Sequence, residues 1–270
     1  MTEQEFQRLD RACRSVFGLF LNDSKRSMVG RRLGELTRRL NRRSTGDLID
    51  DFVRGDDPNL VSAVVDALTT NHTFFLREPV HFEHFQNVVL PEFESRLQQT
   101  CDLRVWCAAA STGEEPYYIA MLLRDYFGLR YPEWEAGVLA TDISNAVLQV
   151  AMDGCYESNN AERLPNSVRE KYLRSTVTGY EIHPDIRSDV TFRRFNLIAP
   201  DYPFRQPFHV IFCRNVLIYF DETQVDSVVA NLARSLVPGG YLYIGVAESI
   251  RSRCDELEFV QTGVYRRRMG

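Results

Sequence analysis

The chain has 270 residues, 44% of them hydrophobic and 26% charged, with a net charge of −5. This composition excludes a disordered, collagenous or membrane-embedded chain, and the acidic balance argues against a nucleic-acid binder, whose footprint is a strong positive excess. The average conceals a division, because residues 1–43 carry 11 Arg or Lys against 5 Asp or Glu while the remainder is strongly acidic, so an acidic partner is expected for the N-terminal segment.

The opening sequence MTEQEFQRLD is polar and lacks the apolar core of a leader peptide. No stretch approaches the ~18 apolar residues of a membrane span, so a cytoplasmic protein is expected. Up to about residue 99, apolar residues recur every three or four positions and the pattern is helical. In residues 22–43, Val29, Leu33, Leu36 and Leu40 form one apolar stripe, with Asp23 or Ser24 as the expected N-cap. Eight basic residues against two acidic ones surround that stripe. Further helices are expected at about 46–54, opened by Thr45 or Asp47, at 59–70 after Asp57-Pro58, and at 79–99 with an interruption near Pro91.

From Leu103 short apolar strands alternate with helices, which argues for βαβ units and a mostly parallel sheet. Strands are expected at 103–109, 137–141, 190–195, 209–213, 241–246 and 263–267. Helices are expected at about 114–127, 144–153 and 222–236, the last stopped by Pro238-Gly239-Gly240. The polar stretch between Asp153 and Val190 is too long for a simple connection and reads as a small inserted subdomain. Six cysteines stand without a C-x-x-C pair, so neither a zinc knuckle nor a dithiol site is spelled out and reduced thiols are expected.

In an open α/β sheet, ligands bind beyond the carboxyl ends of the strands. After the first strand comes Ala108-Ala109-Ala110-Ser111-Thr112-Gly113-Glu114-Glu115-Pro116, whose small side chains let a ligand approach the backbone. Its two carboxylates would repel a pyrophosphate, so a nucleoside without phosphates fits better, above all a cationic one. Asp142, after the second strand, stands where nucleotide folds hold ribose hydroxyls, or else caps the following helix. The fourth strand ends in Phe212-Cys213-Arg214-Asn215-Val216-Leu217-Ile218-Tyr219-Phe220, without the Pro-Pro-Tyr motif of amino-methylating nucleic-acid enzymes.

Five motifs in order resemble the chemotaxis receptor methyltransferase family, CheR: residues 68–78 (LTTNHTFFLRE), 104–117 (RVWCAAASTGEEPY), 140–143 (ATDI), Asn196-Leu197 and 211–221 (IFCRNVLIYFD). The resemblance spans almost the whole chain. It implies an S-adenosylmethionine-dependent, Rossmann-like doubly wound α/β methyltransferase fold at 76–270, with an inserted β-subdomain at about 154–190 and an all-helical N-terminal domain at 1–75. It also implies methyl transfer from S-adenosylmethionine to glutamates on the cytoplasmic helical bundle of a chemoreceptor, giving methyl esters and S-adenosylhomocysteine. By matching positions, Asn71, Thr73 and Arg77 reach the cofactor, with Glu115 or Glu114 and Asp142 on its amino-acid or ribose portions. Asn196, Leu197, Arg214, Asn215 and Val216 line the rest of its pocket. Arg77 and Tyr219 orient the substrate carboxylate. Arg31, Arg38, Arg39 and Arg42 are expected to read the acidic receptor helix.

In the family, some members bind a pentapeptide at the receptor C-terminus through a longer, glycine-containing loop in the inserted subdomain. Here residues 176–184 (TVTGYEIHP) are about three residues short, so a tether-independent monomer is expected. Blander readings stand beside these. Arg77 could form a surface ion pair with Glu78, Tyr219 could be a core tyrosine, Phe74 and Phe75 could pack the core or wall the pocket, and Trp106 belongs to the core. His81 and His84 lie one helical turn apart without a third ligand, so no metal is expected. A methyltransferase for nucleic acid or a small molecule, and a non-catalytic sensor of S-adenosylmethionine, remain as competing functions.

Overall fold

A computed structural model describes residues 1–251 and 253–269. The N-terminal part packs four helices, α1 (Glu3–Phe17), α2 (Arg26–Arg39), α3 (Thr45–Arg54) and α4 (Pro58–Leu68), around their own core of Leu9, Cys13, Leu33, Leu48, Ile49 and Val64. Their caps follow local chemistry. Thr2 and Glu5 form a reciprocal capping box on α1, Ser44 caps α3 by accepting from the Asp47 N–H at 3.1 Å, and Asp57 caps α4. Thr45 and Asp47 are therefore not the cap of α3.

The α2 stripe buries Val29, Leu33 and Leu36, and the helix then ends. Asn41 adopts φ 51°, a left-handed stop, and Leu40 is turned out to solvent. Neither Asp23 nor Ser24 caps α2, because residues 23–25 form a separate 3₁₀ turn.

Helix α5 (Pro79–His84) runs through a π-turn at Phe85–Val89 into α6 (Leu90–Arg96). The irregularity lies before Pro91, which occupies the first turn of α6, where a missing N–H costs little.

The rest of the chain carries a seven-stranded sheet flanked by helices. In chain order the elements are β1 (Val105–Cys107), α7 (Glu114–Phe127), β2 (Val138–Asp142), α8 (Asn145–Asp153), β3 (Cys155–Tyr156), α9 (Ser158–Ala161) and α10 (Asn166–Tyr172). Then come β4 (Leu173–Thr176), β5 (Gly179–Ile182), α11 (Pro184–Ser188), β6 (Val190–Arg194), β7 (Phe208–Phe212), α12 (Glu222–Arg234), β8 (Leu236–Tyr243), β9 (Leu257–Gln261) and β10 (Val264–Arg267). The sheet order is β6-β2-β1-β7-β8-β10-β9, parallel from β6 to β8 and antiparallel beyond. Strand order reverses between β1 and β7, so the crevice at a topological switch point opens above their carboxyl ends.

Three strand assignments differ from expectation. β9 was not foreseen. β1 is shorter than 103–109. β8 begins at Leu236 and runs through Pro238-Gly239-Gly240 instead of starting at Tyr241. It does so by bulging, since Phe208 pairs with Leu236 but Val210 pairs with Tyr241, and Gly239 takes φ 75° in the excess loop.

The segment between α8 and β6 forms a separate antiparallel sheet, β3-β5-β4. Trp106 is fully buried and donates from Nε1 to the Thr141 hydroxyl at 2.9 Å. Phe75 is buried against Tyr156, whereas Phe74 lies under Arg163, so both serve packing.

The helical domain is held on the sheet domain by directed bonds. Asn196 Nδ2 donates to the Val16 carbonyl at 2.9 Å, Gln224 Nε2 to the Arg14 carbonyl at 3.0 Å, and the Ser144 hydroxyl to Asp66 Oδ1 at 2.7 Å. Gly18, at φ 80°, permits the closest approach, because a Cβ there would stand 2.7 Å from both Ile198 and Phe220. All six cysteines are free. Among the described residues, no helix is long and apolar enough to cross a membrane.

Candidate functional site

Above the carboxyl ends of β1, β2 and β7 lies a cavity of about 330 Å³, a size suited to a small organic ligand. The sheet contributes Ala108, Ala109 and Ser111 after β1, and Asp142 and Ile143 at the end of β2 and just beyond it. Asn196 and Leu197 follow β6, and Arg214, Asn215 and Val216 follow β7. The segment joining the two domains adds Thr69 to Thr73 and Arg77, while Phe17 and Leu19 close it from the helical side. The cavity is thus a two-domain structure, which strand-end reasoning alone did not reveal.

The acidic residues divide into different roles. Glu115 borders the cavity. Glu114, one step round the helix, is buried and turned away, accepting from Thr112 Oγ1 and Asn160 Nδ2, each at 2.7 Å. Glu114 therefore does not line the cavity, whereas Glu115 does. Asp142 Oδ1 accepts the Ser144 N–H at 3.0 Å and Oδ2 the Ser111 N–H at 2.9 Å. Burial holds its carboxyl above the ordinary value, and those N–H bonds offset this only in part. The cap of α8 is Ser144, which leaves Asp142 as a braced acid at the cavity wall. Gly113 serves a different end from ligand approach, since a Cβ there would lie 2.8 Å from Ala151.

Beneath the cavity a buried ion cluster fixes its floor. The Arg214 side chain is 2% exposed and pairs with Glu78 at 3.0 Å and with Glu115, and it also donates to the Arg77 carbonyl. Asn215 Nδ2 and the Val246 N–H donate to Glu78 at 3.1 and 3.2 Å. Desolvation pushes the Glu78 carboxyl up, but the Asn215 and Arg214 bonds outweigh it and hold it below its ordinary value. The blander reading of Arg77 as a surface ion-pair partner of Glu78 does not hold, because Glu78 points inward to Arg214. Sequence reasoning missed Glu78, whose partners lie 136 and 137 residues away.

Arg77 stands between two residues with left-handed backbones, Leu76 at φ 60° and Glu78 at φ 55°, and donates to the His72 carbonyl at 2.9 Å. Ser111 and Asn215, also on the cavity wall, share that conformation at φ 49° and 56°. Such backbones cost of order 1–3 kcal/mol each and persist where surrounding bonds over-determine them. Tyr219, at the cavity edge, donates to the Thr70 carbonyl at 3.3 Å, and its own carbonyl accepts from the Phe20 N–H at 2.9 Å. Burial raises its phenol above the usual value despite the nearby Arg77 charge, so it stays a neutral donor at neutral pH.

Arg31, Arg38 and Arg39 of α2, and Arg42 just beyond its end, are not among the residues that line this cavity. Arg38 and Arg39 are exposed without an ion pair among the described residues. Arg31 lies 3.8 Å from Glu35, and Arg42 is drawn 3.0 Å from Asp51 of α3, so Arg42 is partly committed within the domain. Arg32 caps the end of α4, donating to the Thr69 carbonyl at 2.9 Å. His81 is fully buried and His84 contacts the Tyr243 hydroxyl at 2.8 Å. No metal-binding cluster exists among the described residues.

Comparison with known proteins agrees with the topology. The CheR methyltransferase all-alpha domain matches residues 4–69, and the CheR methyltransferase SAM binding domain matches residues 71–266. The chain is 31% identical to the chemotaxis protein methyltransferase of Borreliella burgdorferi, over 99% of this chain and 95% of that protein. It is 34% identical to chemotaxis protein methyltransferase Cher2 of Pseudomonas putida, covering 94% and 91%. It is also 34% identical to the Escherichia coli chemotaxis protein methyltransferase, covering 92% and 85%.

Proposed function

Since the chain belongs to the CheR methyltransferase family, we propose that it transfers a methyl group from S-adenosylmethionine to glutamate side chains of chemoreceptor cytoplasmic domains, forming methyl esters for chemotactic adaptation in the cytoplasm. The carrying observation is a switch-point cavity with Arg77 and Tyr219 on its border and the helical domain closing it. The cavity fits the cofactor: its volume is that of a small-molecule site, Asp142 can accept from ribose hydroxyls, and Glu115 offers a carboxylate to a cationic ligand. Bound S-adenosylmethionine supplies a methyl group on a positively charged sulfur. Asn71, Thr73, Arg77, Asn196, Leu197, Asn215 and Val216 would hold the remaining portions, with Arg214 bracing Glu115.

A substrate glutamate, with an ordinary pKa of about 4.3, is already ionised at neutral pH, so the chain need not supply a general base. What it must supply is orientation, worth roughly 7–11 kcal/mol when reacting groups are well aligned. In this reading Arg77 and the Tyr219 hydroxyl orient the carboxylate, and Phe17, Leu19 and Phe220 exclude water. An ion pair held too tightly would blunt the nucleophile, and the His72 bond keeps part of the Arg77 guanidinium engaged. Incubation with tritiated S-adenosylmethionine and a receptor cytoplasmic fragment should give label released by alkali as methanol. Alkali-stable label would refute ester formation.

The exposed face of α2 supports a helix-on-helix contact with the receptor. Gly30 and Gly34 have open space where a Cβ would stand, Arg38 lies on the same side one turn after Gly34, and Arg39 is exposed farther round the helix. Complementary charge mainly raises association rate. Arg38→Gln/Arg39→Gln should raise KM for the receptor fragment about 3- to 10-fold at low salt, narrow that gap at high salt, and leave cofactor affinity unchanged. An unchanged KM would remove α2 from recognition.

The inserted sheet supports tether independence. β4 and β5 are joined by only Val177 and Thr178, since Thr176 pairs directly with Gly179. Calorimetry with receptor C-terminal pentapeptides should show no binding at micromolar concentration, and micromolar affinity would overturn this reading.

A further inference from the structure

The loop after β7 carries both Val216 at the cavity and Tyr219 at its edge, yet its conformation is set from another loop. Glu248, buried between β8 and β9, points its carboxylate into the turn. Its Oε2 accepts the N–H groups of Asn215 at 2.9 Å and Gly245 at 2.7 Å, and its Oε1 accepts the Ile218 N–H at 3.2 Å. Asn215 sits at φ 56°, and a Cβ on Gly245 would come within 2.4 Å of Asn215 Nδ2, so the two loops are pressed together where the carboxylate joins them. Glu248 is itself anchored, because the neighbouring Ile250 is buried and its N–H meets the Tyr265 hydroxyl at 3.2 Å.

We propose that Glu248 is a positioning residue for methyl transfer: through the Ile218 N–H it fixes where Tyr219 presents its hydroxyl, and through Asn215 and Gly245 it fixes the adjoining cofactor wall. The proposal rests on the methyltransferase reading above. The two oxygens divide the work, and that division can be separated chemically. In Glu248→Gln a single carbonyl oxygen remains. Seated at the Oε2 position it keeps the two shorter bonds, at 2.9 and 2.7 Å, and at the Oε1 position the longer one at 3.2 Å, so the first arrangement prevails. The amide NH₂ then faces the Ile218 N–H, and only the Tyr219 end is released.

The expected result for Glu248→Gln is an S-adenosylhomocysteine affinity within about threefold of wild type by calorimetry, with turnover on a receptor fragment lowered about tenfold, the loss of one hydrogen bond to a charged group. In a Tyr219→Phe background the same change should cost less than about twofold, because a group acting through Tyr219 has nothing further to misplace. Equal losses in both backgrounds, an unchanged rate in Glu248→Gln, or a wild-type rate in Tyr219→Phe would each overturn the proposal. Should Glu248→Gln fail to fold, Glu248→Asp, which keeps both oxygens but retracts them, is read through the same cycle. Wild-type enzyme runs beside every variant. If it yields no alkali-labile methyl, the methyltransferase reading fails and takes the role of Glu248 with it, whereas wild-type transfer with additive losses sinks the role of Glu248 alone.

Discussion

Arg77→Ala should lower turnover on receptor fragments by about 10²-fold, while affinity for S-adenosylhomocysteine falls less than about tenfold. The separation follows from where the side chain is held. Leu76 and Glu78 both have positive φ, so the backbone turns sharply on either side of Arg77. The Arg214 guanidinium, bound to the Arg77 carbonyl, and the Arg77 bond to His72 hold that turn in place. A guanidinium fixed this firmly orients a carboxylate without reorganising, and misplacement of about 1 Å costs of order 10²-fold in rate. Cofactor affinity is spread over residues after four strands and falls less. Steady-state kinetics beside calorimetry checks this, and turnover within threefold of wild type would remove Arg77 from the reacting centre.

Arg214→Met should destabilise the fold by about 3–5 kcal/mol, the usual cost of stranding a buried charge. Removing Arg214 leaves Glu78 and Glu115, each only 14% exposed, without their shared cation. For a domain of this size the loss corresponds to a fall in Tm of about 10 °C. The pH dependence has a definite sign. In the wild type Glu78 titrates below its ordinary value, so its contribution is present above the ordinary carboxylate range and is lost as pH falls through the lowered one. In Arg214→Met the Glu78 carboxyl loses the Arg214 charge and hydrogen bond that help hold it down, so the deficit against wild type is greatest at neutral pH and shrinks as pH falls through the carboxylate range. Adding Glu78→Gln should recover part of the loss. A Tm deficit that grows on acidification would contradict this account of the cluster.

Much of the fold was legible because period and punctuation are local. The Val29, Leu33 and Leu36 stripe is buried, and the shift to short strands after Leu103 marks the parallel sheet. Leu40 failed because a left-handed Asn41 ends the helix, and that stop is one of conformation rather than hydropathy. Glu114 and Glu115 could not be told apart, since neighbouring helical residues point about 100° apart and only the position of Asn160 shows which one turns inward. Glu78 and Glu248 were missed because the partners that give them a role come from other loops, Ile218 and Asn215 lying 30 and 33 residues from Glu248. The small-residue loop was correctly placed at the cavity, but Gly113 answers to packing against Ala151.

The proposed esterification of receptor glutamates is read most directly by mass spectrometry of a receptor cytoplasmic fragment after incubation with this protein and S-adenosylmethionine. Particular glutamates should gain one methylene, reversed by mild alkali and abolished when those glutamates are changed to alanine. A methylene that survives alkali, or that resides on lysine, arginine or a nucleobase, would contradict it.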